Sequence, residues 1–335
     1  MTNKPKFRVA VTGDFEGLAM KVAPWSTLGE DAEVVAFKEP FTSARQTVVA
    51  LRDFDAVTLM HERVPLTGEI IEQLPRLKVI VFSGRKNETL DDRAAADRGI
   101  VVCNSNPKFD VPDDEPGGKS PSELAIALLL GCTWQTGPLT TMIRQGGWAA
   151  QAGVPLRGKT LGILGFGSVG RPVARVGLAL GMRVLVYSRS LTDEDANGEN
   201  VTRADLDTLL QESDVISIHL PLNASTRGMI GAKQIAQMKA GVIVVNTARA
   251  AIIDEQPFLE ALRTRKIAMA GLDVFWQEPL PDHHPLKELP NVVMTPHIGY
   301  VTEETMVVRY RGIVEKLAAY RGGKIVGRYA SKPGT

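Results

Sequence analysis

Three glycines, Gly165, Gly167 and Gly170, stand as G-x-G-x-x-G between an apolar run, Thr160 to Leu164, and a helix-like segment that stops at Gly181. In isolation the pattern is common. Here it follows a strand candidate, opens a helix and leads to a second apolar run, Arg183 to Tyr187, so each glycine has a task. The first makes a tight turn, the second lets backbone approach a pyrophosphate, and the third lets helix and strand pack closely. The helix N-terminus then offers amide donors and a partial positive charge to phosphate. Such a unit restricts this part of the chain to a parallel, doubly wound sheet that binds a dinucleotide.

The same alternation extends in both directions. Downstream, strand candidates recur at Val215 to His219, Val242 to Asn246, Met269 to Val274 and Val292 to Thr295, giving six in all, the number expected of a dinucleotide-binding domain. Upstream, apolar runs at Arg8 to Val11, Glu33 to Phe37, Ala56 to Met60, Lys78 to Phe82 and Ile100 to Cys103 are spaced for intervening helices. Parallel strands need such crossovers, so the fold class is α/β with two Rossmann-like domains. A length of 335 residues suits two domains. Between the two sets lies SNPKFDVPDDEPGGK, an aperiodic, acidic stretch that reads as a boundary loop. Ser120-Pro121-Ser122-Glu123 then has the form of a helix start, with Ser120 as N-cap, Pro121 at the first helical position and Glu123 closing a capping box. The helix that follows is apolar on nearly every face and is expected to be buried. Met306, Tyr310, Ile313, Val314 and Leu317 fall at helical spacing within a closing helix, Glu303 to Arg321.

Composition excludes several classes. Lysine plus arginine (39) balance aspartate plus glutamate (38), so no global field recruits nucleic acid or an anionic membrane. The longest apolar stretch, Leu124 to Trp134, falls short of the roughly 18 to 20 residues that span a bilayer. The N-terminus, MTNKPKFRVA, passes into a strand-like run without the pattern of a signal peptide, and a cytoplasmic location is expected. Cys103 and Cys132 stand far apart in apolar company, which suggests neither disulfide nor metal site.

The strand after the glycine loop ends in Tyr187-Ser188-Arg189-Ser190. An NAD-specific domain usually places an acid there for the adenosine ribose, whereas arginine flanked by hydroxyls suits a 2′-phosphate. The expected cofactor is therefore NAD(P)(H), with NADP(H) favoured; the alternative is an exposed arginine without a ligand.

Ligands of open α/β sheets bind beyond the carboxyl ends of the strands. The polar residues there are His219, Arg249, Asp273 with Glu278 close behind, and His297. Hydride exchange between a hydroxy acid and a nicotinamide needs a cation for the carboxylate, an acid/base for the hydroxyl proton and a partner for that acid/base. Arg249 can grip a carboxylate in bidentate fashion. His297 can give and take the proton near neutrality, and Glu278 can orient its ring and favour the imidazolium. Taken singly each has a plainer reading, as a surface charge, a loop carboxylate and a capped histidine.

The fingerprints GFGSVG (165–170), SIHLPLNASTRGMIG (217–231), VVNTARAAIID (244–254), AGLDVFWQEPLP (270–281) and LPNVVMTPHIGY (289–300), in this order, resemble the D-isomer-specific 2-hydroxyacid dehydrogenase family, glyoxylate/hydroxypyruvate reductases and phosphoglycerate dehydrogenases included. The resemblance runs over nearly the whole chain. It implies Arg249, Glu278 and His297 as the catalytic trio and a nicotinamide carboxamide contact at Asp273. It also implies cofactor contacts from Ser168, Val169, the stretch around His219, Leu220 and Pro221, Ala248 and Gly299. The family's substrate loop corresponds to Ser83, Gly84 and Arg85, where turn amides can hold a carboxylate. A smaller, flavodoxin-like substrate domain, 1–107 completed by 298–335, and a dinucleotide-binding domain, 108–297, are implied, as is a homodimer formed through the latter.

The chain departs from the family pattern at several points that bear on substrate choice. Ala250 and Ala251 stand where glycine is common, Trp276 and Tyr300 are expected to add bulk near the site, and the acidic loop Pro107 to Lys119 is long. The substrate is thus open among glyoxylate, hydroxypyruvate and larger 2-keto acids. Two rivals share the scaffold: a nucleotide-sensing, co-repressor-like binding protein, and a formate- or phosphite-type dehydrogenase.

Overall fold

The computed structural model describes residues 6–84, 86–105, 119–148 and 152–329. Arg85 and most of the acidic loop therefore lie outside the described residues. The chain divides into two compact units, Met1–Gly118 with Val301–Thr335, and Lys119–Tyr300. Among the described residues no helix is long and apolar enough to cross a membrane.

The first unit is built on β1 (Phe7–Thr12), β2 (Ala32–Ala36), β3 (Ala56–Leu59), β4 (Val79–Ser83) and β5 (Val101–Ser105). All four strand pairs are parallel, in the order β2-β1-β3-β4-β5, the flavodoxin-like arrangement. β3 and β4 are buried along their whole length, as strands covered on both faces must be. The helix Glu303–Arg321 packs on β4 and β5 and buries Met306, Tyr310, Ile313, Val314 and Leu317, the residues its spacing predicts. Past the helix the chain runs beside β5, with Asn104 N donating to Gly327 O (3.0 Å) and Tyr329 N to Val102 O (2.8 Å). The C-terminal segment thus closes this unit's core.

The second unit holds seven parallel strands: β6 (Thr160–Leu164), β7 (Arg183–Tyr187), β8 (Thr202–Arg203), β9 (Val215–Ile218), β10 (Val242–Asn246), β11 (Ile267–Leu272) and β12 (Val292–Met294). Their order is β12-β11-β10-β9-β6-β7-β8. The strand order reverses between β6 and β9, the place where a doubly wound sheet opens a crevice. Six of these strands match the sequence expectation to within a residue or two at their ends. β8 is additional: its two residues are both exposed, so it carries no apolar period to read, and it adds to the edge by pairing with β7.

The helix start near residue 120 differs from expectation. The helix spans Ser120–Thr133 with Lys119 as N-cap and no side-chain cap, so Ser120 is the first helical residue and Pro121 the second. The bonding hydroxyl belongs to Ser122, which donates to Lys119 O at 2.5 Å, and no capping box forms. The helix is buried as expected through Ala125, Leu128, Leu129 and Cys132, and it packs on β10 and β11. Gly271 admits it: a Cβ there would lie 2.9 Å from Leu128 Cβ. Cys103 and Cys132 are both free and buried.

Candidate active site

The glycine loop sits at the carboxyl end of β6, where Gly165 N donates to Tyr187 O at 2.9 Å. Gly165 has φ +99°, and a Cβ on it would lie 2.7 Å from the His219 carbonyl oxygen. A Cβ on Gly170 would lie 2.0 Å from Gly165 O. Any larger residue at either position breaks the turn that joins β6 to the helix Gly170–Ala179. Beside Gly167 there is open space, and no side chain caps that helix, whose N-cap is Val169. Uncapped amides at a helix N-terminus fit a pyrophosphate.

Two further groups at neighbouring strand ends are left without hydrogen bonds among the described residues. His219, just after β9, shares its Nε2 with Ser217 Oγ (2.9 Å), while its Nδ1 is buried and unbonded. Part of the residue reaches solvent, yet burial of the ring pushes its pKa down to about 3, so the imidazole is neutral. Thr247 Oγ1, just after β10, is likewise buried without a partner. Thr247 was not singled out by sequence because a threonine after a strand carries no distinguishing signal. With the open glycine loop, these orphaned atoms fit a bound dinucleotide.

At the end of β7, Tyr187, Ser188, Arg189, Asp193, Arg203, Ala204 and Asp205 line a cavity of about 450 Å³. Ser188 Oγ and Ser190 Oγ lie 3.4 Å apart. The strand end itself has no carboxylate, but folding brings two, Asp193 and Asp205, to this cavity. Their distance in sequence from Tyr187 hid them.

Arg249, Asp273 with Glu278, and His297 follow β10, β11 and β12, three adjacent strands. Buried Asn246 shapes the turn that carries Arg249: its Oδ1 accepts from Ala248 N (2.9 Å) and its Nδ2 donates to Arg249 O (3.0 Å). Arg249 is exposed, with Nη1 donating to Ala248 O at 2.8 Å. Asp273 is 1% exposed, and its carboxylate gathers the chain on both sides of His297. Oδ1 accepts from Thr295 Oγ1 (2.6 Å) and Ile298 N (2.8 Å), and Oδ2 accepts from Gly299 N (2.9 Å). Burial pushes the Asp273 carboxyl above the usual range even against these three donors. The bonds from Ile298 and Gly299 join these residues to Asp273 within the second unit.

Held in this way, His297 adopts φ +55°, a left-handed conformation that a residue with a Cβ seldom takes without support from its surroundings. Its Nδ1 lies 2.6 Å from Glu278 Oε2, and Glu278 Oε1 accepts from Phe275 N at 2.8 Å. A carboxylate only accepts, so Nδ1 carries the proton and Nε2 is the nitrogen free to exchange one. The pair is only partly exposed, at 29% for His297 and 36% for Glu278. Tyr300 stands edge-on to the imidazole with ring centroids 6.0 Å apart. Trp276 is partly buried and anchored. Its indole N–H donates to Ile253 O (2.8 Å), and its ring packs against Phe258 at the edge of the core.

In the first unit, Ser83 and Gly84 lie at the carboxyl end of β4. The buried Ser83 hydroxyl accepts from His61 N (2.9 Å) and faces Met60 Sδ at 3.2 Å, so it braces the turn. Gly84, at φ +108°, is backbone at the same strand end.

Comparison with known proteins gives this geometry a family. A model described as "D-isomer specific 2-hydroxyacid dehydrogenase, NAD binding domain" matches residues 126–299, and one described as the catalytic domain of the same family matches 19–109. A hydroxypyruvate reductase of Thermotoga maritima is 40% identical over 267 residues, covering 78% of this chain and 83% of the relative. A glyoxylate reductase of Aeropyrum pernix is 37% identical over 286 residues, covering 82% of each. Among solved structures, a phosphoglycerate oxidoreductase from Vibrio cholerae superposes with a TM-score of 0.84 at 26% identity, covering 95% of this chain and 99% of that one. With its two parallel-sheet units and a nicotinamide-dinucleotide-binding domain, the chain belongs to the D-isomer-specific 2-hydroxyacid dehydrogenase family.

Proposed function

We propose that this protein reduces the C2 carbonyl of a 2-keto acid to a D-2-hydroxy acid, and runs the reverse reaction, with Arg249, Glu278 and His297 as its catalytic residues. The observation that carries the reading is the 2.6 Å contact between His297 Nδ1 and Glu278 Oε2, on a histidine fixed in a left-handed conformation. The bound nicotinamide supplies or takes up the hydride. His297 Nε2 gives its proton to the C2 oxygen during reduction and recovers it during oxidation. Glu278 holds the ring in one orientation through its contact with Nδ1. Arg249 binds the substrate carboxylate through its guanidinium fork. Ser83, Gly84 and Arg85 are substrate-binding residues, with backbone amides as the donors.

The cofactor lies along the carboxyl ends of the second unit's strands. Gly165, Gly167, Ser168, Val169 and Gly170 hold its pyrophosphate. His219, Leu220, Pro221, Ala248, Asp273 and Gly299 contact the rest. Ser188, Arg189 and Ser190 take a 2′-phosphate, so NADP(H) is preferred over NAD(H). The names of the relatives direct the substrate reading to glyoxylate and hydroxypyruvate. The protein acts as a homodimer formed through its second unit, a reading supported by the helix Thr136–Arg144, which buries none of its residues. A spectrophotometric screen of 2-keto acids with each nucleotide tests the proposal. It expects turnover of at least one small 2-keto acid and a higher kcat/KM for NADPH than for NADH; nucleotide binding without turnover of any acid in the panel contradicts it.

A further inference from the structure

The cavity at the end of β7 contains a second guanidinium beside Arg189. Arg203 comes from β8, and the sheet fixes its position: it pairs in register with Val186, and Ala204 N donates to Val186 O at 2.9 Å. Its guanidinium meets Asp193 Oδ1 at 3.4 Å, with the two side chains 50% and 82% exposed. Asp205, the other acid of the cavity, is engaged elsewhere, since its carboxylate accepts from Thr208 N (2.7 Å) and caps the helix Leu206–Glu212. Of the two carboxylates, only Asp193 is paired with an arginine of the cavity among the described residues.

We infer that Arg203 is the second cation of the pocket for the 2′-phosphate of NADP(H), and that Asp193 competes with that phosphate for it. The inference rests on the reading of Ser188 to Ser190 as the adenosine-ribose end of the cofactor site. An exposed ion pair of this length is weak, because solvent screens it and two mobile side chains must be held. A phosphate offers a guanidinium two parallel charge-assisted bonds, and its charge exceeds that of one carboxylate. Arg203 therefore exchanges Asp193 for the phosphate when NADP(H) enters. NAD(H) has a hydroxyl at that place and gives Arg203 no reason to leave Asp193. Substitutions of the two partners must then move cofactor discrimination in opposite directions. A merely structural ion pair would move it in neither.

Calorimetric dissociation constants for NADP⁺ and NAD⁺ on the wild type, Arg189→Gln, Arg203→Gln and Asp193→Asn test this. Arg203→Gln is expected to weaken NADP⁺ binding about tenfold while NAD⁺ stays within about twofold. Asp193→Asn is expected to tighten NADP⁺ about threefold, because a competitor and a repulsive charge are both removed. If Arg203→Gln leaves NADP⁺ affinity unchanged while Arg189→Gln weakens it, Arg203 has no such role and the NADP(H) reading survives alone. Weaker NADP⁺ binding by Asp193→Asn overturns the competition. Tighter binding of NAD⁺ than NADP⁺ by the wild type overturns both the reading and the inference. Should Arg203→Gln lose both nucleotides, Arg203→Lys decides: a loss confined to NADP⁺ supports the role, and an equal loss of both removes it.

Discussion

His219 shows how one buried ring sets a charge state. Its pKa falls from 6.5 to about 3 because burial penalises the imidazolium, and Ser217 gives it a neutral hydrogen-bond partner. In the unfolded chain the same ring takes up a proton near pH 6.5. Between these values the unfolded state binds a proton that the native state refuses, so stability falls as the pH drops through that window. Asparagine at this position has no proton to gain. His219→Asn is therefore expected to flatten the acid limb of stability against pH by up to about one proton, read from denaturant midpoints between pH 6.5 and 3.5. An acid limb as steep as that of the wild type contradicts the assignment. Asp273 has a different task. Its carboxylate joins Thr295, Ile298 and Gly299 around His297, and so ties that residue to the end of β11 as well as to its own strand.

At the scale of elements, the helix Glu303–Arg321 ties the end of the chain into the first unit. Leu317 is fully buried in it, and the Tyr310 hydroxyl donates to buried Asp14 at 3.1 Å. Leu317→Ala is expected to cost about 2 to 5 kcal/mol of unfolding free energy, since the space is walled by other buried side chains and collapses only in part. Denaturant unfolding measures it, and a cost well below 1 kcal/mol would mean the helix is not part of that core. The helix was legible because its apolar period is unbroken and Thr302 stands at its N-cap, accepting from Thr305 N. The Rossmann strands were legible for a related reason: buried on both faces, they read as continuous apolar runs bounded by glycine and polar residues. β8 was hidden because two exposed residues hold their place by pairing with β7 alone. Strand-end logic singled out Arg249, Glu278 and His297 as candidates, and the sheet sets the strands they follow side by side. Arg203, Asp193 and Thr247 escaped it because their positions depend on pairing and burial that no local pattern encodes.

At the scale of the molecule, the second unit exposes several large apolar side chains among its described residues. Trp148 is 91% exposed, Trp134 57% and Ile143 54%, around a helix with no buried residue. Where such side chains are contiguous they mark an association surface, which is the basis of the proposed homodimer. Sedimentation of the wild type is expected to give a dimer, and Ile143→Asp with Trp148→Ser to shift it toward monomer; a monomeric wild type contradicts the homodimer. The central claim concerns the proton carried by His297, and one comparison reaches it directly. Reduction of glyoxylate and hydroxypyruvate by NADPH is measured for the wild type and for His297→Ala, with nucleotide affinity measured in parallel. The account predicts a loss of about 10²- to 10⁴-fold in kcat for the variant, with NADP⁺ affinity within about twofold of the wild type. A His297→Ala variant that keeps full 2-keto acid reductase activity contradicts it.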